Sequence, residues 1–193
     1  TLSSVLVSVL ICFVIGVPLG VIASYNKWYR DIQNVVLDAM QTLPYFCYLI
    51  PVLMFFGGNI VSAVIATVIY SVPPIIRLTA LGLSQVSGGY SEVSKSFGGT
   101  GIQTLNKVKF PLAVPSLVMG FNQTVIMAFA MQIVTPLIGG KGLGLQVFNA
   151  LQRSDTGRGL SAGLAIVLLA IIIDRITHAW TKKQRQALGL DQS

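Results

Sequence analysis

SGGYSEVSKSFGGTGIQTLNKVKFPLAVP, residues 87–115, is the longest polar interruption in a chain otherwise made of apolar runs. It holds Glu92, Lys95, Lys107 and Lys109, breaks at Gly98, Gly99 and Gly101, and returns to apolar sequence at Pro111 and Pro115. The runs on either side are long enough to cross a bilayer, so this segment belongs outside the hydrocarbon. Two readings fit it: a surface for a soluble partner, or an ordinary helical connection lying on the membrane.

Composition supports the membrane setting. Of 193 residues, 53% are hydrophobic and 10% charged, and the mean hydropathy is +0.76. Soluble domains carry about 25% charged residues. The net charge of +7 would suit nucleic acid, but the cations cluster at the ends of apolar runs, as membrane topology produces. No nucleic-acid partner is expected. Cys12 and Cys47 lie inside apolar runs without ligand-like spacing, so they read as small hydrophobes, and no metal site is expected. The chain begins in an apolar run without a methionine, which reads as a trimmed or partial subunit.

Five spans are expected. Residues 2–23 form an apolar run of about 20 residues, the length needed for roughly 30 Å of hydrocarbon, and tolerate Gly16, Pro18 and Gly20 as membrane helices do. Residues 25–30 read as a short interfacial loop with two cations. The second span covers residues 34–56, kinked at Pro44 and Pro51, with Asp38 and Gln41 on one face. An ionisable group there flags function, although Asp38 also suits the first turn of a helix, where the dipole is positive. Further spans cover 60–76, 112–138 and 160–177, with a Gly57-Gly58-Asn59 turn and a glycine-rich 139–144 connection between them. The fold class is therefore all-α, a polytopic bundle of about five transmembrane helices. It forms a single membrane domain over 1–193 with polar loops at 87–111 and 139–158.

Orientation follows from cations. If the tail and the 87–115 segment share a side, that side collects Lys27, Arg30, Arg77, Lys95, Lys107, Lys109, Arg175, Lys182, Lys183 and Arg185. Lys141, Arg153 and Arg158 remain opposite. The positive-inside rule makes the larger set cytoplasmic, and the C-terminus with it.

Within the polar segment, a helix starting at Ser91 puts Val93 and Phe97 on one face, Glu92 in the first turn and Gly98 or Gly99 at the stop. Pro111 and Pro115 suit the first turns of the next span.

Glu92, then Gly98, then Val108-Lys109-Phe110-Pro111 resembles the E-A-A-x3-G-x9-I-x-L-P loop of bacterial ABC importer permeases. Val93 and Ser94 replace the two alanines, Val108 the isoleucine and Phe110 the leucine. The stretches 36–44, 73–78, 122–124 and 163–177 narrow the resemblance to permeases for glycine betaine, proline betaine, choline or carnitine. That resemblance implies a type I importer core in the bacterial inner membrane, paired with a second permease subunit, read as a homodimer. It implies two ATPase subunits that bind ATP and Mg2+ and dock on a coupling helix at 91–100, through Glu92, Val93, Phe97, Gly98, Val108 and Pro111. It also implies an extracytoplasmic binding protein.

This chain is expected to bind no cofactor and to catalyse nothing, since Lys141 in the glycine-rich stretch is followed by Gly142 where a phosphate-binding loop needs Ser or Thr. Lys141, Gly142, Gly144, Arg153 and Arg158 are candidates for an outer gate or binding-protein contact, against a plain surface turn. Gln41, Tyr45, Asn122, Phe129 and Gln132 are candidates for the translocation path. The polar ones are too polar for lipid, and aromatic faces hold quaternary ammonium groups. Interhelical hydrogen bonds and packing explain the same residues without transport. Two rival readings stay open: a permease for amino acids or other small solutes, and a membrane scaffold with no path.

Overall fold

A computed structural model describes the backbone of residues 1–187 and side chains as far as Ala179; the tail cations Lys182, Lys183 and Arg185 lie outside the described side chains. No strand occurs among the described residues. Every spanning backbone group must be satisfied inside the bilayer, which leaves the helix as the solution for apolar runs of this length. The long helices are α1 (Leu2–Tyr25), α2 (Lys27–Thr42), α3 (Phe46–Phe56), α4 (Ile60–Ser71) and α5 (Pro73–Gln85). After the short α6 (Gly88–Ser96) and α7 (Gly101–Thr104) come α8 (Phe110–Met131), α9 (Leu143–Gln152) and α10 (Thr156–Ala187).

Four described stretches are long and apolar enough to cross a membrane: Leu2–Tyr25, Ile60–Gln85, Gly101–Met131 and Thr156–Ala179. The expected second span is present only as a bent pair, broken at the expected Pro44 kink, which makes a fifth span if the pair is taken as one. It is two helices, α2 and α3, bent by 95° at the Leu43–Tyr45 break. Pro44 forbids the helical continuation there, because its ring disfavours α geometry at Leu43, whose backbone is extended at φ −69°, ψ 132°. The expected loop at 25–30 contracts to Asn26, whose side chain caps α2 by accepting from Trp28 and Tyr29 backbone N–H.

The third span does not stop at Ile76. Pro73 sits at the first position of α5, where its missing N–H costs nothing, and the span runs on to Gln85. The fourth begins at Gly101 rather than 112 and ends at Met131, followed by a 3-10 turn over Thr135–Ile138. The fifth begins at Thr156.

α5 is the central helix, packed between α1 and α8. Small residues let the backbones close in, as expected where van der Waals packing rather than water drives association. A Cβ added at Gly20 would stand 2.7 Å from the Ile76 carbonyl oxygen and 2.6 Å from Thr79 Cβ, and one at Gly16 2.4 Å from Ile75 Cγ2. On the other flank, Gly82 faces Ser116 and Gly120 faces Ile75 and Leu78. Cys12, Leu37, Val72, Ile75 and Ile76 fill the space between these contacts, while Val5, Val9, Val125, Ala128, Phe129 and Ile166 join α1, α8 and α10. The outer face of α10 presents Leu164, Val167, Leu168, Ile171 and Ile172, all exposed and suited to lipid.

Gly20→Ile inserts a branched side chain against a carbonyl that cannot move alone. Overpacking of this kind costs about 1–3 kcal/mol, so the thermal midpoint of the purified protein is expected to fall by several degrees. Gly88→Ala, in open space, leaves it unchanged. Equal midpoints for Gly20→Ile and wild type would show that α1 has room to step back.

Candidate functional site

The polar segment is a built corner rather than a loop. α6 starts at Gly88 after Ser87, not at Ser91 as the spacing predicts, so Glu92 lies in mid-helix instead of the first turn. At its end Gly98 N–H donates to Lys95 carbonyl and Gly99 N–H to Ser94 carbonyl, both at 2.9 Å. With Gly98 at φ +77°, this is the Schellman arrangement, which leaves no orphan carbonyl at these positions and requires a left-handed residue after the cap. Phe97 is the cap itself.

Thr100 then opens α7 with a capping box: Gln103 N–H donates to Thr100 Oγ1, and Thr100 N–H to Gln103 Oε1 at 2.9 Å. The T-x-x-Q pattern was readable in the sequence. Ser94 Oγ and Thr104 Oγ1, 2.8 Å apart, tie α6 to α7.

α7 passes into α8 through a π turn over Leu105–Lys109, closed by Phe110 N–H to Leu105 carbonyl. Pro111 has no N–H for the Lys107 carbonyl, and its ring would press on that group; the widened turn accommodates both. Val108 and Pro111 are thereby half-buried at the root of α8. Among the exposed polar groups Glu92, Lys95 and Ser96, the corner also offers large apolar ones to solvent: Phe97 is 88% exposed, Ile102 74%, Val93 56% and Tyr90 55%. Tyr90 joins Val93 and Phe97 because α6 starts at Gly88, a turn earlier than the spacing predicts, and Ile102 adds to the exposed apolar groups from α7.

At the opposite end of the bundle, the structure gathers Gly142, Arg153 and Arg158 around one polar hollow of about 280 Å³, with Gln146, Asn149 and Asp155. Asp155 accepts from the Arg158 backbone at 3.1 Å and pairs with its guanidinium at 3.3 Å. Lys141 is exposed beside the hollow. Gly144 is buried, with its Cα region so near the Gln132 carbonyl oxygen that an added Cβ would overlap it. Leu143 N–H donates to Thr1 Oγ1 at 2.6 Å, so α9 is pinned to the start of α1.

The five path candidates are not gathered at one point. Gln41 and Tyr45 are exposed, flanking the α2–α3 break. Phe129 is packed in the α1–α8–α10 core. Buried Gln132 accepts from Ser4 Oγ at 3.0 Å. Asn122 is also buried, and neither of its amide atoms has a hydrogen-bond partner among the described residues.

Asp38 is corrected in role: it lies far from the first turn of α2 and pairs instead with Arg77 Nη2 on α5 at 2.5 Å. Sequence reading left Arg77 behind the third span, because Val72-Pro73-Pro74 reads as the end of that span.

Over residues 16–186 the sequence matches the family described as binding-protein-dependent transport system inner membrane component. This chain belongs to that family. Relatives include the glycine betaine/carnitine transport permease GbuB of Listeria monocytogenes, 46% identical over 96% of this chain and 66% of its own length. The glycine betaine/proline betaine permease ProW of Escherichia coli is 44% identical over 96% of this chain and 52% of its own. The chain therefore spans about half to two-thirds of those relatives. Among solved structures, an inward-facing form of the MetNI methionine ABC transporter superposes with a TM-score of 0.80, covering 92% of this chain and 91% of that one at 24% identity. The fold is thus that of a type I importer permease.

Gly98→Val keeps the amide but places a β-branched side chain at φ +77°. The Schellman hydrogen bonds are expected to open, so that exchange of the Gly99 amide speeds at least about tenfold, the loss of roughly 1.4 kcal/mol. Gly101→Ala, on a helical backbone with open space around it, leaves exchange at wild-type rates. An unchanged Gly99 amide in Gly98→Val would remove the cap from the account.

Proposed function

We propose that this chain is the membrane-spanning permease subunit of an ATP-driven, binding-protein-dependent importer of glycine betaine and related quaternary amines. The observation that carries the reading is the capped α6 corner. It presents Tyr90, Val93 and Phe97 to solvent at the Glu92–Gly98–Pro111 spacing, on a chain 44–46% identical to glycine betaine permeases. The ion-sparse bundle has nothing to gain from exposing a phenylalanine on a polar corner unless something covers it. An ATPase subunit is that cover, one on each of two identical permease chains, and ATP with Mg2+ binds there rather than here.

In this arrangement the α6 corner is cytoplasmic, as the cation count favours. The Gly142–Arg153–Arg158 hollow, with exposed Lys141 beside it, faces the extracytoplasmic binding protein, while buried Gly144 seats the start of α9 against the end of α8. Gln41 and Tyr45 lie on the solute path with Asn122 behind them, and Phe129 and Gln132 hold the helices that wall it. A push on α6 reaches α5 through the short link at Val86–Ser87 and α8 through the Ser94–Thr104 contact, so both central helices move with the partner.

The complex reconstituted in liposomes with its ATPase and binding protein is expected to accumulate labelled glycine betaine on ATP addition. Accumulation of amino acids alone would favour another cargo, and failure to bind any ATPase would favour a scaffold. Phe97→Asp is expected to lower ATPase co-purification or uncouple hydrolysis from uptake by tenfold or more; normal coupling would remove the corner from the mechanism. Reversing Arg153 and Arg158 to Glu is expected to weaken stimulation of hydrolysis by the binding protein, with basal hydrolysis intact. Full stimulation would return that hollow to an ordinary surface.

A further inference from the structure

Along α2, Arg30, Asn34, Asp38 and Gln41 recur at spacings of four, four and three, one continuous polar stripe ending at the α2–α3 break. The facing residues on α5 are Arg77, Ala80, Leu81 and Ser84, and between the two helices lies a hollow of about 380 Å³. Asp38 is eleven residues, about 16 Å, along α2 from Lys27, and Arg77 sits well inside the Ile60–Gln85 span. The pair is nonetheless open: the two side chains are 36% and 63% exposed. Charged groups at membrane depth do not face lipid; they face water-filled paths or other protein. The contact is also single, Arg77 Nη2 to Asp38 Oδ1, and a guanidinium has five N–H donors in a fork suited to a second carboxylate.

We propose that this hollow is the inner half of the solute path, and that the Arg77–Asp38 pair is a station for a small zwitterion. The solute's carboxylate is received by Arg77 and its quaternary ammonium by Asp38. The inference rests on the betaine reading for the identity of the solute, while the water-filled stripe stands on the geometry alone. An ion pair of this kind suits a transport step: the solute replaces each protein charge's partner with one of its own, so neither charge is stranded as the solute arrives or leaves. Tyr45, exposed at the upper end of the stripe, offers an aromatic face to the ammonium before it reaches Asp38.

Two measurements on the reconstituted complex test this. First, in a Cys12→Ser, Cys47→Ser background, Asn34→Cys and Ser84→Cys are treated with a membrane-impermeant, water-soluble thiol reagent applied from the side of the α6 corner. Both are expected to react at least tenfold faster than Val36→Cys, which lies on a different, apolar face of α2. Equal, slow rates at all three positions would overturn the path. Second, Arg77→Gln and Asp38→Asn are each expected to cut the uptake rate of glycine betaine at least tenfold, while complex assembly and thermal midpoint stay near wild type. The charge-swapped pair, Asp38→Arg with Arg77→Asp, restores an ion pair but is expected to leave uptake low, because the order of the two charges along the path is reversed. Full uptake in the swap, or in either neutral variant, would make the pair a structural tie only. If the wild-type complex takes up no glycine betaine, the proposed cargo fails, and the thiol rates still decide whether the stripe is wet.

Discussion

Gly20 comes so near to α5 that a single added carbon would stand 2.7 Å from the Ile76 carbonyl oxygen. In a bilayer, helices gain nothing from hiding apolar surface from water, because the surroundings are already apolar. They are held by close contact and a few polar ties. The glycine and serine contacts on both flanks of α5 therefore do the work that a hydrophobic core does in a soluble protein. They fix α5 between α1 and α8, and two candidate features are referred to that helix. Its middle holds Arg77 against Asp38, and its end leads through Val86 and Ser87 to the α6 corner.

The corner gains its value from rigidity. A flexible loop would absorb a partner's movement, whereas α6 is closed at its C-terminus by two backbone hydrogen bonds and followed at once by a capping box. Ser94 and Thr104 link the two short helices, and the π turn joins the second to α8 without a gap. A force applied at Phe97 has a continuous hydrogen-bonded route into the bundle. The opposite end is built differently: Gly142, Gly144 and the Thr1 contact let α9 lie tightly over the ends of α1 and α8, leaving arginines around a polar hollow.

Polar groups inside the bundle are not all held alike. Gln132 is answered by Ser4, which makes it a tie between α1 and the end of α8. The α2 stripe is different, because its groups face a hollow and its charges are open. The amphipathic pattern of α2 has the same cause: one face meets α1 and α5 through Leu37, while another meets the hollow.

Much of this was legible in the sequence. Apolar runs of about 20 residues, the cations at their ends and the Glu92–Gly98–Pro111 spacing specify helices, spans and the polar corner, since those features depend on local composition and on the cost of burying polar backbone in lipid. Gly98 as a helix stop was equally local. What only the tertiary structure decided was where helices bend and what meets across them. Pro44 and Pro73 look alike as proline marks, yet the first breaks its span by 95° while the second opens a helix that continues. The difference lies in the packing of α5 between α1 and α8, which holds the second join in line. Asp38 looked like a charge suited to a helix start because its true partner is 39 residues away. Only the antiparallel packing of α2 and α5 brings that arginine within reach, and no local pattern encodes such a meeting.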